Sequence, residues 1–165
     1  MKILSMITLA FAACASVATC AEAVSAAPTG AEKGAVAKAA EELTLLNGSV
    51  NPTAQVYYYL QSASWCGPCK AAMPGIVDTY ETMKADGRAE IILVSYDRTE
   101  DAAKKYIGSY NSDMPTVWAK DAKIMKMPGF VRATGIPFVI VVDADGKVLG
   151  QGAPGRIHQW KTLVK

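Results

Sequence analysis

The chain has 165 residues, 51% hydrophobic and 19% charged, which is the size of one domain and not the composition of a disordered chain. Its formal net charge of +2 is too small to point to nucleic acid or to an anionic membrane surface as a partner. Four cysteines are too few for a disulfide scaffold at this length, and Gly 13 with Pro 8 excludes collagen-like and low-complexity classes.

Met1-Lys2 is a short basic start, and an uncharged run from Ile3 to Ala21 follows it. Ala21-Glu22-Ala23 supplies an A-x-A cleavage site, so residues 1–23 are expected to be a secretory signal peptide. An uncleaved membrane helix and lipidation at Cys14, after Ala12-Ala13, are the alternatives. Cleavage removes Lys2 and Glu22, leaving the net charge at +2, and removes Cys14 and Cys20. Residues 24–34, rich in Ala, Gly, Pro and Ser, read as a flexible lead-in. The folded domain is expected over 35–165.

Ala35 to Leu46 has helical spacing at Val36, Ala39, Ala40 and Leu43, and Asn47-Gly48 is expected to stop that helix. Gln55 to Leu60 is β-branched and aromatic, a strand whose Tyr57, Tyr58 and Tyr59 would split between two covered faces. Gly67 to Lys84 predicts a helix interrupted at Pro74. Glu90 to Ser95 is the near-continuous apolar run of a strand buried on both faces. Thr99 caps a predicted helix running to about Ser109. Phe138 to Val142 is the next strand, Asp143-Ala144-Asp145-Gly146 a turn, and Lys147 to Gln151 the returning strand of a hairpin. Arg156 to Val164 predicts a last helix. Strands joined by helical crossovers give a parallel core, and the hairpin adds antiparallel edges. The expected architecture is α/β: a central mixed sheet with two helices on each face.

Trp65-Cys66-Gly67-Pro68-Cys69-Lys70 is the most specific segment, set where a strand ends and a helix begins. The first N–H groups of a helix lack partners and favour negative charge, so a thiolate there is stabilised, and the thiolate is the attacking species. The C-x-x-C spacing brings Cys69 beside Cys66 after about one turn, within disulfide reach. Cys66, nearer the helix end, is the expected nucleophile, and Cys69 the resolving thiol. Half of a zinc site is one alternative, although His158 is the only histidine and leader cleavage leaves no further cysteine. A permanent structural disulfide is another, and it needs neither the Trp nor the Pro. His158 reads as a surface residue, and Trp118 and Trp160 as packing residues. Met114, Met125 and Met127 read as packing, with a substrate-facing surface as the alternative.

With these residues in view, the chain resembles the thioredoxin superfamily over about Gln55 to Lys165. Pro74 stands where such proteins carry a proline in the active-site helix. Gly135-Ile136-Pro137-Phe138 looks like their cis-proline element, whose backbone accepts a substrate strand. Ser62 to Cys66, Ile92 to Glu100, Met114-Pro115 and Val141 to Lys147 resemble tryparedoxin and nucleoredoxin, and secreted bacterial thioredoxins share many of these features. The resemblance implies a thioredoxin-like fold and a redox-active Cys66–Cys69 couple. It implies supporting roles for Trp65, Gly67, Pro68, Lys70, Ile136 and Pro137, and no cofactor or metal. Leu60 departs from the pattern: thioredoxin has a buried acid there, and Asp97, Asp78 and Glu81 are the candidate substitutes. The expected function is a thiol–disulfide oxidoreductase, a monomer that reduces protein disulfides in the periplasm. A membrane electron donor would have to keep it reduced, since that compartment has no thiol buffer to do so. A non-enzymatic binding module and a thiol peroxidase are the alternatives. Reduction of insulin disulfides separates the first of these from the enzyme.

Overall fold

The computed structural model describes residues 33–165. The expected signal peptide, with Cys14 and Cys20, and residues 24–32 of the lead-in lie outside the described residues. In chain order the regular elements are α1 (Ala35–Ala40), β1 (Leu45–Asn47), β2 (Val56–Ser62), α2 (Gly67–Asp86), β3 (Ala89–Ser95), α3 (Glu100–Gly108), β4 (Thr116–Trp118), β5 (Phe138–Asp143) and β6 (Val148–Gly152). Two 3-10 helices, Ala122–Lys126 and Pro154–Thr162, complete the set.

One mixed sheet runs β1-β4-β3-β2-β5-β6. β2 and β3 pair in parallel with Leu60 opposite Leu93 and Ser62 opposite Ser95, and β4 extends the parallel core beside β3. β5 lies antiparallel on the other side of β2, and β6 returns along β5. Every residue of β2 and β3 is buried, because helices and loops cover both faces of the sheet and these strands need no polar side.

The pleat sorts the strand residues into two cores. Val56, Tyr58, Leu60, Ile91 and Leu93 face Met73, Ile76 and Tyr80 of α2, Tyr106 and Ile107 of α3, and Ile157 and Trp160 of the last 3-10 helix. Tyr57, Tyr59, Ile92 and Val94 face Val36, Ala37 and Ala40 of α1 and the segment carrying Ile124, Met127 and Phe130. Two helices per face is therefore corrected on the first face, which three helical elements share; α1 and the 3-10 helix Ala122–Lys126, with the irregular chain after it, close the second. Burial holds the Tyr57 and Tyr58 hydroxyls protonated, pushed up to about 12. Tyr57 and Tyr59 donate to the carbonyls of Asn51 and Pro128, both at 2.9 Å.

Four further expectations are corrected. The first helix ends at Ala40, and residues 45–47 form a strand. Gly48 does not cap a helix; it follows β1 with φ +63°, where a Cβ would lie 1.9 Å from the Asp113 carbonyl oxygen. The Asn47 amide donates at 3.0 Å to both Ser112 and Met114 carbonyls, tying β1 to the approach of β4. Neither β1 nor β4 was expected, since a three-residue strand is too short to show a period of two. Pro74 lies inside an unbroken α2, which ends at Gly87 in the left-handed region. The final helix is 3-10 rather than α. Within it His158 is exposed, its Nδ1 2.7 Å from Thr79 Oγ1.

Glu90 is buried near the start of β3, away from the strand ends that lead to the cysteines. Its carboxylate accepts the Asn51 and Ile91 N–H groups, each at 2.8 Å. Burial nevertheless outweighs both bonds and raises its pKa from 4.5 to about 7. Between those values the unfolded chain binds fewer protons than the folded one, so stability falls as pH rises through the window. The total is about 3 kcal/mol at most. Urea midpoints measured from pH 4 to 8 are expected to decline across this range, and Glu90→Gln should remove most of the slope. The same slope in both proteins would show that Glu90 is not its source.

Candidate active site

The chain leaves β2 at Ser62 and turns through Ala63, Ser64 and Trp65 into α2. The Cys66 N–H donates to the Ala63 carbonyl at 3.2 Å, which closes that turn. Cys66 is the residue before the first helical position, with extended backbone (φ −87°, ψ 109°). Pro68 sits in the first helical turn, where its fixed φ suits the helix and its missing N–H leaves no bond unmade. The free N–H of Cys69 then points back at Cys66 Sγ, 3.2 Å away. The side chain of Cys66 thus occupies the place of a helix-capping oxygen.

Cys66 and Cys69 are joined as a disulfide with their Cα atoms 5.2 Å apart. Both are buried; Cys66 is 6% exposed and Cys69 1%. Ala63 packs with them, together with half-buried Tyr96 and Ile136. The Ile136–Pro137 peptide is cis, and the Ile136 carbonyl oxygen lies 3.7 Å from Cys66 Sγ. The structure therefore gathers Trp65 to Cys69 and Ile136-Pro137 into one place. Lys70 lies next to the pair with its side chain in solvent, and Gly67 has open space where a Cβ would stand. Trp65 is 61% exposed beside the pair. Its Nε1 donates to the Tyr96 carbonyl at 3.3 Å.

Two polar networks hold this surface, and sequence reading missed both. Asp97, 2% exposed, accepts from Ser64 N at 3.1 Å, Ser64 Oγ at 2.6 Å and Ser95 Oγ at 2.8 Å. Its carbonyl accepts the Trp118 indole N–H at 2.8 Å. The second network centres on fully buried Gln61. The Gln61 carbonyl oxygen accepts Tyr96 OH at 2.6 Å and Ala133 N at 2.9 Å, while its amide donates to the Val131 carbonyl at 2.9 Å. Arg132 lies over the Tyr96 ring, 5.6 Å from its centroid, and donates to the Ala119 carbonyl at 2.9 Å. The loop before Pro137 is thus fastened to β2 and to the residue after β3. Gln61 follows directly on the strand expected over Gln55 to Leu60, and Asp97 was expected only as a substitute for the acid that Leu60 displaces.

Leu60 is fully buried against Met73 and the rest of the α2-facing core. Asp78 and Glu81 are exposed on the outer side of α2, so they do not replace the acid that Leu60 displaces. Asp97 is spent on the two serines. Met114 and Met127 are buried, and Met125 is 49% exposed with its Sδ 4.0 Å from the Arg132 guanidinium. Among the described residues no group of three or more His, Cys, Asp or Glu side chains converges as a metal site would require.

A family model described as thioredoxin-like matches residues 55–148. Nucleoredoxin of Bos taurus is 36% identical over 92 residues, which are 53% of this chain and 20% of that protein. The thiol-disulfide oxidoreductase ResA of Bacillus thuringiensis is 33% identical over 86 residues, 52% of this chain and 47% of that protein. The chain thus spans about a fifth to a half of the curated relatives it matches. Among solved structures, tryparedoxin II of C. fasciculata superposes with a TM-score of 0.60 at 25% identity, covering 78% of this chain and 90% of that one. Thioredoxin of Wuchereria bancrofti gives 0.54 at 27% identity, covering 68% of this chain and 83% of that one. The matched span runs from the start of β2 to the hairpin and so contains the cysteine pair, the strands that present it and the cis-proline loop. The chain belongs to the thioredoxin-like family.

Proposed function

We propose that the chain is an exported thiol–disulfide oxidoreductase that reduces protein disulfides through Cys66 and Cys69. The observation that carries this reading is the position of Cys66 Sγ, capping α2 and facing the Cys69 N–H at 3.2 Å. That donor and the helix start favour a thiolate at this sulfur over a neutral thiol. In the reduced protein, the Cys66 thiolate attacks one sulfur of a substrate disulfide. An S–S bond forms between Cys66 and the substrate, and the other substrate sulfur leaves as a thiolate that takes up a proton. Cys69, having lost its proton, then attacks Cys66 Sγ. The second substrate thiol departs and the Cys66–Cys69 disulfide remains. Two electrons and two protons have passed to the substrate.

The Ile136 carbonyl beside Cys66 and the exposed Trp65 frame the place where a substrate strand would lie. Among the described residues Thr134 and Gly135, both exposed, have no hydrogen-bond partner, so that backbone stretch is open to pairing with such a strand. The signal-like residues 1–23 support export. An exported dithiol needs an electron donor to restore it, and the reading assigns that role to a membrane protein, with the chain acting as a monomer.

The direction of transfer is tested by equilibrating the purified protein with glutathione buffers and reading the oxidised fraction. A reductant is expected to be mostly oxidised at a poise of about −200 mV. A pair that stays mostly reduced there would reverse the assigned direction.

A further inference from the structure

Three segments meet at the disulfide, through Ala63, Tyr96 and Ile136. The exposed charges placed beside these residues are Lys70, next to Cys69, and Arg132, over the Tyr96 ring, and both are positive. The acid next to Tyr96, Asp97, is buried and bound to Ser64 and Ser95. This asymmetry is local, because the whole chain carries a formal net charge of only +2. The ion pairs Lys33–Glu41, Lys84–Asp113 and Arg88–Asp86 all lie away from this rim.

Arg132 is the better placed of the two. It lies four residues before Ile136, whose carbonyl lies beside Cys66 Sγ. Its guanidinium is held over the Tyr96 ring and by one hydrogen bond to the Ala119 carbonyl. A guanidinium has five N–H donors, so this anchoring fixes its direction and leaves most donors to a partner. Exposed apolar side chains, Trp65 at 61%, Val131 at 53% and Met125 at 49%, lie in or beside the same segments and offer contact area.

We infer that this rim selects extended polypeptide segments carrying Asp or Glu beside the reacting cysteine. Cations around an exchange site draw an anionic segment toward it and repel a cationic one. The selectivity rests on the oxidoreductase reading above, and names the substrate class for that same site.

The test uses prereduced protein in single-turnover reactions with two synthetic peptides. Each is closed by one disulfide, and the two differ only in Asp or Lys on either side of the cysteines. At low ionic strength the Asp peptide is expected to be reduced about tenfold faster than the Lys peptide. The ratio should shrink toward one as salt is raised past about 0.5 M, where screening is strong. Arg132→Glu and Lys70→Glu should each lower the ratio, and together invert it. The ratio is the readout because damage to the fold or a changed thiolate slows both peptides alike. A ratio near one in the unaltered protein, or a ratio that neither substitution moves, would overturn the inference while leaving the oxidoreductase reading in place. Failure to reduce either peptide would overturn that reading, and this inference with it.

Discussion

Cys66→Ser is expected to bring disulfide reduction to the uncatalysed level and to capture no substrate, whereas Cys69→Ser should retain the attack and lose the release. The asymmetry follows from their places on one helix turn. Cys66 Sγ sits at the helix start and accepts the Cys69 N–H, and Cys66 is the more exposed of the two residues at 6% against 1%. An attacking thiolate needs both the stabilisation and the access. Cys69, one turn inside the helix and nearly sealed, can reach only the sulfur beside it. With Cys69 replaced, the mixed disulfide on Cys66 has no internal nucleophile to resolve it and accumulates. Non-reducing gels of the two variants incubated with a disulfide-containing protein read the outcome, and dithiothreitol should release the trapped species. Equal trapping by both variants would contradict the assignment of roles.

Asp97→Ala is expected to cost stability and activity together, although Asp97 touches neither cysteine. Its buried carboxylate satisfies Ser64 N, Ser64 Oγ and Ser95 Oγ. Removing it leaves three donors facing a cavity. Even with partial relaxation the loss is about 3 kcal/mol, a Tm drop of about 10 °C for a domain of this size. Ser64 lies two residues before Cys66, so the same change loosens the turn that sets the nucleophile at the helix start. Asp97→Asn should be milder, since one amide oxygen can still accept from Ser64. Thermal unfolding and single-turnover exchange rates measured on both variants check the pairing of effects. A wild-type Tm in Asp97→Ala would refute the argument at its first step.

The chemistry of this protein was legible wherever it depended on neighbours in sequence. The strand-to-helix junction at Trp65-Cys66, the proline in the first helical turn and the two-residue spacer are local features, and each acts over less than one helical turn. The long apolar strands Val56–Ser62 and Ala89–Ser95 were legible for a related reason: burial on both faces leaves a continuous hydrophobic run. Pro74 was misjudged because local propensity marks it as a breaker, while packing of Met73, Ile76 and Tyr80 against the sheet keeps the helix whole on either side. The short strands β1 and β4 had no period long enough to register; their pairing with each other, and that of β4 with β3, decides them. The rim of the site belongs to the same class. Gln61, Tyr96 and Arg132 are separated by up to 71 positions and become one network only when β2, the turn after β3 and the loop before Pro137 close together. The sequence by itself determined which atoms can react, because a helix start and a cysteine spacing are set by a few consecutive residues. Only the tertiary structure decided what surrounds them, because side-chain hydrogen bonds and unpaired charges depend on distances between segments that no local pattern encodes.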